Sequence, residues 1–328
     1  RADLPLRGFD NEIRKNLEIE LLKKGINLYP NSKILSVKKQ DKLIITLNFS
    51  LIILWYSCTP FQPSQKDLLS QNVDFLIVKG NEYWEKRVKP EYATWARNFL
   101  LKAHQMRPQD TVTGLLYSRA CFFEGKYIEQ NKIKRDSLFM EGALNALSIA
   151  LNIDPKEINS ETILNSGEGQ HYLVKKIENI KESSLPALYM FGINLGEFIF
   201  SKPVRKRMQQ RDLLESLYHR IYSLNSIYDF GGPMRLLGIL YSRLPGMDLD
   251  QAKVYFDTAI QMYPNCFSHR TAKAEYYYIK SGNRESFHNE LSHIINLDPT
   301  IIPDIMPENL MEQGRAEFLL KQKSDLFE

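Results

Sequence analysis

Cysteine is scarce. Cys58, Cys121 and Cys266 are the three in 328 residues, too few and too scattered for a disulfide framework or a four-ligand zinc site. No stretch reaches the roughly 18 to 20 apolar residues that span a bilayer as a helix. An excess of one charge is also missing from most of the chain. Lys plus Arg number 43 against 39 for Asp plus Glu, but 10 basic and 6 acidic residues precede Cys58, so the remainder is neutral. A neutral body excludes an extended nucleic-acid surface and points to protein or apolar partners. Phosphate-cradling glycines are lacking too, since Gly167 and Gly169 have no third glycine and follow no strand pattern. His288 and His293 stand five apart, roughly 500° around a helix, and so face different ways, unlike the i, i+4 pair of a zinc protease. They read as surface histidines. No catalytic constellation, metal site or cofactor is expected.

What the chain does have is 43% apolar and 25% charged residues, ordinary globular chemistry with enough material for a substantial core. Its beginning has a different layout. Lys38, Lys39 and Lys42 precede an apolar run over 43–57, which ends at Ser57 and Cys58. A basic run, an apolar run and a small residue make a secretory signal, and the small residue before cysteine resembles a bacterial lipobox. Trp55 and Tyr56 stand where the usual lipobox has Leu and a small residue. The resemblance implies cleavage before Cys58 and a lipid on its sulfur. Residues 1–57 are then upstream residues plus a signal peptide, 58–67 a polar, proline-containing tether, and 68–328 the working domain. The alternative for 43–57 is a buried strand or a hydrophobic helix.

The body repeats itself. A spacing of small, large, small, Pro at i, i+4, i+7 and i+12 fits Ala96, Leu100, Ala103 and Pro108. It fits Ala143, Leu147, Ala150 and Pro155 again, and then Ala252, Phe256, Ala259 and Pro264. Weaker copies are Phe287, Leu291, Ile294 and Pro299, and Leu214, Tyr218, Ile221 and Ser226. Residues i, i+4 and i+7 share one helix face, where small residues let a neighbouring helix approach and the large one fills the gap. Proline then stops the helix. These are the second-helix positions of a tetratricopeptide repeat, and Leu237, Gly238 and Tyr241 have first-helix spacing. The prediction is an all-α fold of four to five tetratricopeptide-like helix–turn–helix hairpins in a superhelical array. Uneven spacing between copies predicts extra length over 128–136 and an inserted helix within 156–184. A segment over 307–323 is expected to cap the last repeat with Leu310, Phe318 and Leu319.

Residues 186–196 (Pro-Ala-Leu-Tyr-Met-Phe-Gly-Ile-Asn-Leu-Gly), the Gly-Gly-Pro at 231–233 with Leu237, Gly238 and the Leu-Pro-Gly at 244–246, and 274–277 (Ala-Glu-Tyr-Tyr) carry a further likeness, joined upstream by 116–123 and 146–151. Through them the chain resembles the T component associated with tripartite ATP-independent periplasmic (TRAP) transporters. The resemblance implies a non-enzymatic periplasmic lipoprotein that pairs with the substrate-binding P component, forms a homo-oligomer, with a trimer the first expectation, and touches the membrane through its lipid alone. It also implies a role in passing on a small, hydrophobic ligand. A different class remains open: a scaffold lipoprotein for envelope or secretion-system assembly.

In tetratricopeptide units the partner-facing concave side is lined by first-helix positions that do not pack in the core. Counting from Leu237 and Tyr278 gives Arg235, Ile239, Arg243, His269, Tyr276 and Lys280. A mixed aromatic and cationic set suits a protein partner. Direct carriage of a ligand requires instead an apolar channel among the first helices. The basic run Lys202, Arg205, Lys206, Arg207 and Arg211 reads as a solvated helix start, because no stacking aromatics interleave it.

Overall fold

All three helical positions in each of the five spaced copies, from Ala96 to Ile294, are buried. In the computed structural model, which describes residues 33–39, 43–48 and 65–328 apart from 155, 156, 159, 165 and 166, these copies sit on five helices, α2 (Pro90–Met106), α4 (Lys132–Leu151), α9 (Arg211–Leu224), α11 (Leu249–Met262) and α13 (Arg284–Ile295). Each follows a helix that packs on it: α1 (Gln65–Glu85), α3 (Thr111–Phe123), α7 (Leu185–Phe200), α10 (Tyr228–Arg243) and α12 (Phe267–Ala272). α3 and α12 run on through π-helical turns, Glu124–Ile128 and Lys273–Tyr278.

The insertions fall where the spacing placed them. Two short helices, α5 (Ser160–Leu164) and α6 (Glu168–Glu178), fill the 156–184 gap, and the basic run forms α8 (Val204–Gln209). α14 (Met306–Lys321) and a last turn, α15 (Lys323–Leu326), complete the chain. Side chains cap several starts: Asp110 accepts from the Thr113 amide at 3.1 Å and Asn283 from the Ser286 amide at 3.0 Å.

Close approach within hairpins depends on missing side chains. A Cβ on Gly80 of α1 would lie 2.8 Å from Leu100 of α2, and one on Gly238 of α10 would lie 2.8 Å from the Phe256 ring of α11. α7 is buried nearly all round and forms the middle of the largest core cluster, with α4, α6, α9 and α10 around it. Smaller clusters surround Trp84 and Phe123 at one end and Phe267 and Phe287 at the other.

α14 departs from the simple cap expected of it. Besides packing on α12 and α13, it reaches back to the first hairpins. Arg87, 3% exposed in its side chain, pairs with Glu308 at 2.7 Å and donates to the Asp304 carbonyl at 3.2 Å. Tyr127 donates to Glu312 at 2.6 Å, and Met311 packs against the Trp84 cluster. Leu319 is buried as expected, but Phe318 is 58% exposed.

The chain divides into two units, 1–62 and 63–328. Within the first, β1 (Lys33–Lys39) pairs antiparallel with β2 (Leu43–Asn48). Their Ile and Val content suits strands, and this hairpin is a departure from the all-α reading. β2 takes up the first residues of the apolar run, while Cys58 and the lipobox lie outside the described residues. No helix among the described residues is long and apolar enough to cross a membrane.

A cationic cleft as the candidate functional site

The six residues assigned to a partner-facing side separate into two groups. Arg243, Tyr276 and Lys280 come together in one cleft of about 630 Å³, between the C-terminal end of α10, the π turn after α12, and α14. Arg235 and His269 are core residues, which corrects the expectation that they face a partner. Arg235 is 9% exposed and donates to Ser268 Oγ at 2.5 Å and Tyr189 Oη at 3.1 Å. His269 is fully buried, its Nε2 2.7 Å from the Phe230 carbonyl oxygen. Ile239 lines a cavity of about 20 Å³ inside the array.

The turn that carries Phe230 covers His269, and for Arg235 the physical reason is α14. First helices would show these positions to solvent in an open array, but here Glu308 and Asn309 of α14 help enclose the space that Arg235 lines. That inner space is nearly filled. Its two cavities measure about 20 and 50 Å³, room for a few waters at about 10–15 Å³ each. Their walls carry Arg119, Lys126, Arg235, Asp229 and Glu308 beside the aromatics. This is not the apolar channel that direct carriage requires.

His269 has an electrostatic consequence. Burial first, then the charges of Arg235 and Arg270, push its imidazole down to about 3, against the hydrogen bond to Phe230. The unfolded chain, near the ordinary 6.5, takes up the proton first on acidification. Stability is therefore fully present above about pH 6.5 and is lost as pH falls toward 3, by about 2 kcal/mol at pH 5. His269→Gln is expected to flatten that slope in thermal melts between pH 7 and pH 5. An unchanged slope in the variant would assign the acid sensitivity elsewhere.

The Phe230 carbonyl is aimed at His269 by an unusual turn. Asp229, Phe230 and Gly231 all have left-handed φ values, of 47°, 55° and 75°. Such a conformation costs roughly 1–2 kcal/mol for each residue other than glycine, so the fold holds it by contacts: His269 on Phe230, and Arg119 3.7 Å from Asp229. The helix proper begins after it at Gly232 and Pro233, where proline suits a first helical turn.

In the cleft itself, the end of α10 organises the cations. Unpaired carbonyls make a helix C-terminus an acceptor for positive groups. Arg207 Nη1 donates to the Arg243 carbonyl at 2.8 Å, Lys280 Nζ to the Ser242 carbonyl at 2.9 Å, and Arg243 Nη2 to the Phe200 carbonyl at the end of α7 at 2.6 Å. The Arg243 guanidinium lies over the Tyr276 ring at 4.8 Å and near Phe200 at 5.4 Å. Burial and the neighbouring charge of Arg243 pull the Arg207 guanidinium below its usual value. The one carboxylate in the cleft, Glu275, is held by Arg315, with contacts of 3.0 and 2.6 Å to its two oxygens. Ile279, Phe318, Leu319 and Leu326 supply apolar wall.

Arg207 and Arg315 were not singled out by the repeat template. Arg207 belongs to a basic run that reads as solvated, and only the fold brings α8 against the end of α10. His288 and His293 are exposed, as their spacing implies.

A helical array with these hairpins, this inserted pair and this closing helix can be compared with known families. The model of the TRAP transporter T-component matches residues 121–327. The chain belongs to the TRAP transporter T-component family. It is thereby an auxiliary component of such a transport system, in line with the resemblance carried by 186–196 and 231–246. A second model, pyridine nucleotide-disulphide oxidoreductase, matches residues 1–50, a stretch that includes the β1–β2 hairpin and ends within the apolar run. No curated protein matches the chain. The T-component match contains every cleft residue, from Arg207 to Leu326.

Proposed function

We propose that this T component is a non-enzymatic periplasmic lipoprotein, anchored through Cys58, that docks the substrate-binding P component at the cationic cleft and assists delivery of a small ligand. Its hairpins are read as tetratricopeptide-like and its assembly as a homotrimer. The observation that carries the docking proposal is the convergence of Arg243, Tyr276 and Lys280, chosen from repeat geometry alone, on a single open cleft with unbalanced positive charge. Half-buried Arg and Tyr beside apolar wall are the chemistry of interface anchors. Rim charges set encounter rate and salt dependence.

Native membranes extracted in mild detergent at low salt, with the anchored protein as bait, are expected to yield the solute-binding P component. The double variant Arg243→Glu, Lys280→Glu should weaken that association at least ten-fold while circular dichroism stays unchanged. Equal recovery by the folded double variant removes the cleft as the docking site, and recovery of no solute-binding protein by the unmodified chain removes the transporter partner.

A further inference from the structure

The cleft holds more positive charge than the molecule itself neutralises. Arg207, Arg243 and Lys280 are fixed by backbone carbonyls of Arg243, Phe200 and Ser242, which are dipoles and leave the net charge in place. Both oxygens of Glu275 are engaged by Arg315, and none of the three cations forms an ion pair among the described residues. Arg207 Nε is buried without a hydrogen-bond partner. The same cleft also has an apolar wall. Phe318, more than half exposed, stands with Ile279, Leu319 and Leu326 along the same cleft.

We propose that the cleft holds an anionic amphiphile, a single acyl chain ending in a carboxylate or phosphate, with its head among Arg207, Arg243 and Lys280 and its chain along Ile279, Phe318, Leu319 and Leu326. A small dianion would satisfy the cations and leave the apolar wall in water. A neutral lipid would cover the wall and strip water from three unpaired charges, which is costly. A charged head on an apolar chain answers both, and bidentate guanidinium contacts suit either head. The cleft's volume lies within the range of about 300–1,000 Å³ of small-molecule sites. The identity of the ligand as cargo rests on the transport reading; its binding does not.

The test is calorimetric titration of the full chain with laurate below its micellar concentration, with lauroyl lysophosphatidate, dodecanol, acetate and phosphatidylglycerol vesicles as the other arms. Saturation at one laurate or lysophosphatidate per chain is expected, with dodecanol and acetate at least ten-fold weaker. The tighter of the two charged amphiphiles then distinguishes a carboxylate head from a phosphate head. Arg243→Gln with Lys280→Gln should weaken laurate binding at least ten-fold, and Phe318→Ser should weaken laurate while leaving acetate unchanged, each with an unaltered melting profile. Equal affinity for dodecanol, full retention by the Gln variant, or binding to vesicles but not to monomeric amphiphile would overturn the proposal, the last in favour of a membrane surface. The P-component capture described above, run without amphiphile, keeps the two readings apart. Capture without laurate binding leaves docking standing and removes the ligand; laurate binding without capture does the reverse.

Discussion

Phe256→Ala is expected to destabilise the helical unit by about 3–5 kcal/mol, the range for emptying a fully buried aromatic site. Phe256 is fully buried on α11, and its ring fills the space opposite Gly238 on α10. The converse change, Gly238→Ala, puts a methyl 2.8 Å from that ring and is expected to cost about 1–3 kcal/mol by overpacking. The pair should couple. In the double variant the new methyl enters the volume the ring has left, so the combined loss falls below the two single losses added together by about 1 kcal/mol or more, as contacting residues do. Urea denaturation followed by circular dichroism measures all three. Additivity within about 0.5 kcal/mol would mean that the two helices do not meet at this point.

The second large effect concerns the contact between the first hairpin and the last helix. Arg87→Met is expected to cost about 3 kcal/mol or more, because it leaves Glu308 and the Asp304 carbonyl without the guanidinium that bridges them. Arg87 also stacks on Trp84 at 4.2 Å, so methionine retains part of the packing and the loss reports mainly on the bridge. Thermal melts read the total. Native-state hydrogen exchange reads the location: protection should fall in both α1–α2 and α14. A loss below about 0.5 kcal/mol, the scale of a surface pair, would show that other contacts hold the ends together.

Helix faces were legible because their signal is local. A residue, its i+4 and its i+7 neighbours define an inward stripe without reference to anything else, and every such position from Ala96 to Ile294 is indeed inside. The extra length within 156–184 followed from the wide interval between the anchors Pro155 and Ser226, although two short helices stand there and one was expected. The cleft was half legible. Arg243, Tyr276 and Lys280 follow from counting along first helices, but Arg207 and Arg315 reach the same place from α8 and α14, and no spacing rule links positions so far apart in the chain. Arg235 was misplaced for the same reason, and His269 because the left-handed turn at 229–231 closes over it. The template describes an array whose inner side is open, whereas Glu308, Asn309, Met311 and Glu312 return to that side. A Pro-Glu-Asn-Leu-Met-Glu start at 307–312 signals a helix and says nothing of where it docks.

Stacked hairpins joined only to their neighbours unravel piecemeal, one unit at a time from a loose end. Here both loose ends are stitched to one another through α14, so removing a terminal hairpin first requires breaking that seam and the whole stack is committed together. Folding stability in this unit is accordingly shared between its two extremes, and a lesion near Arg87 should be felt as far along the chain as the helix that carries Glu308.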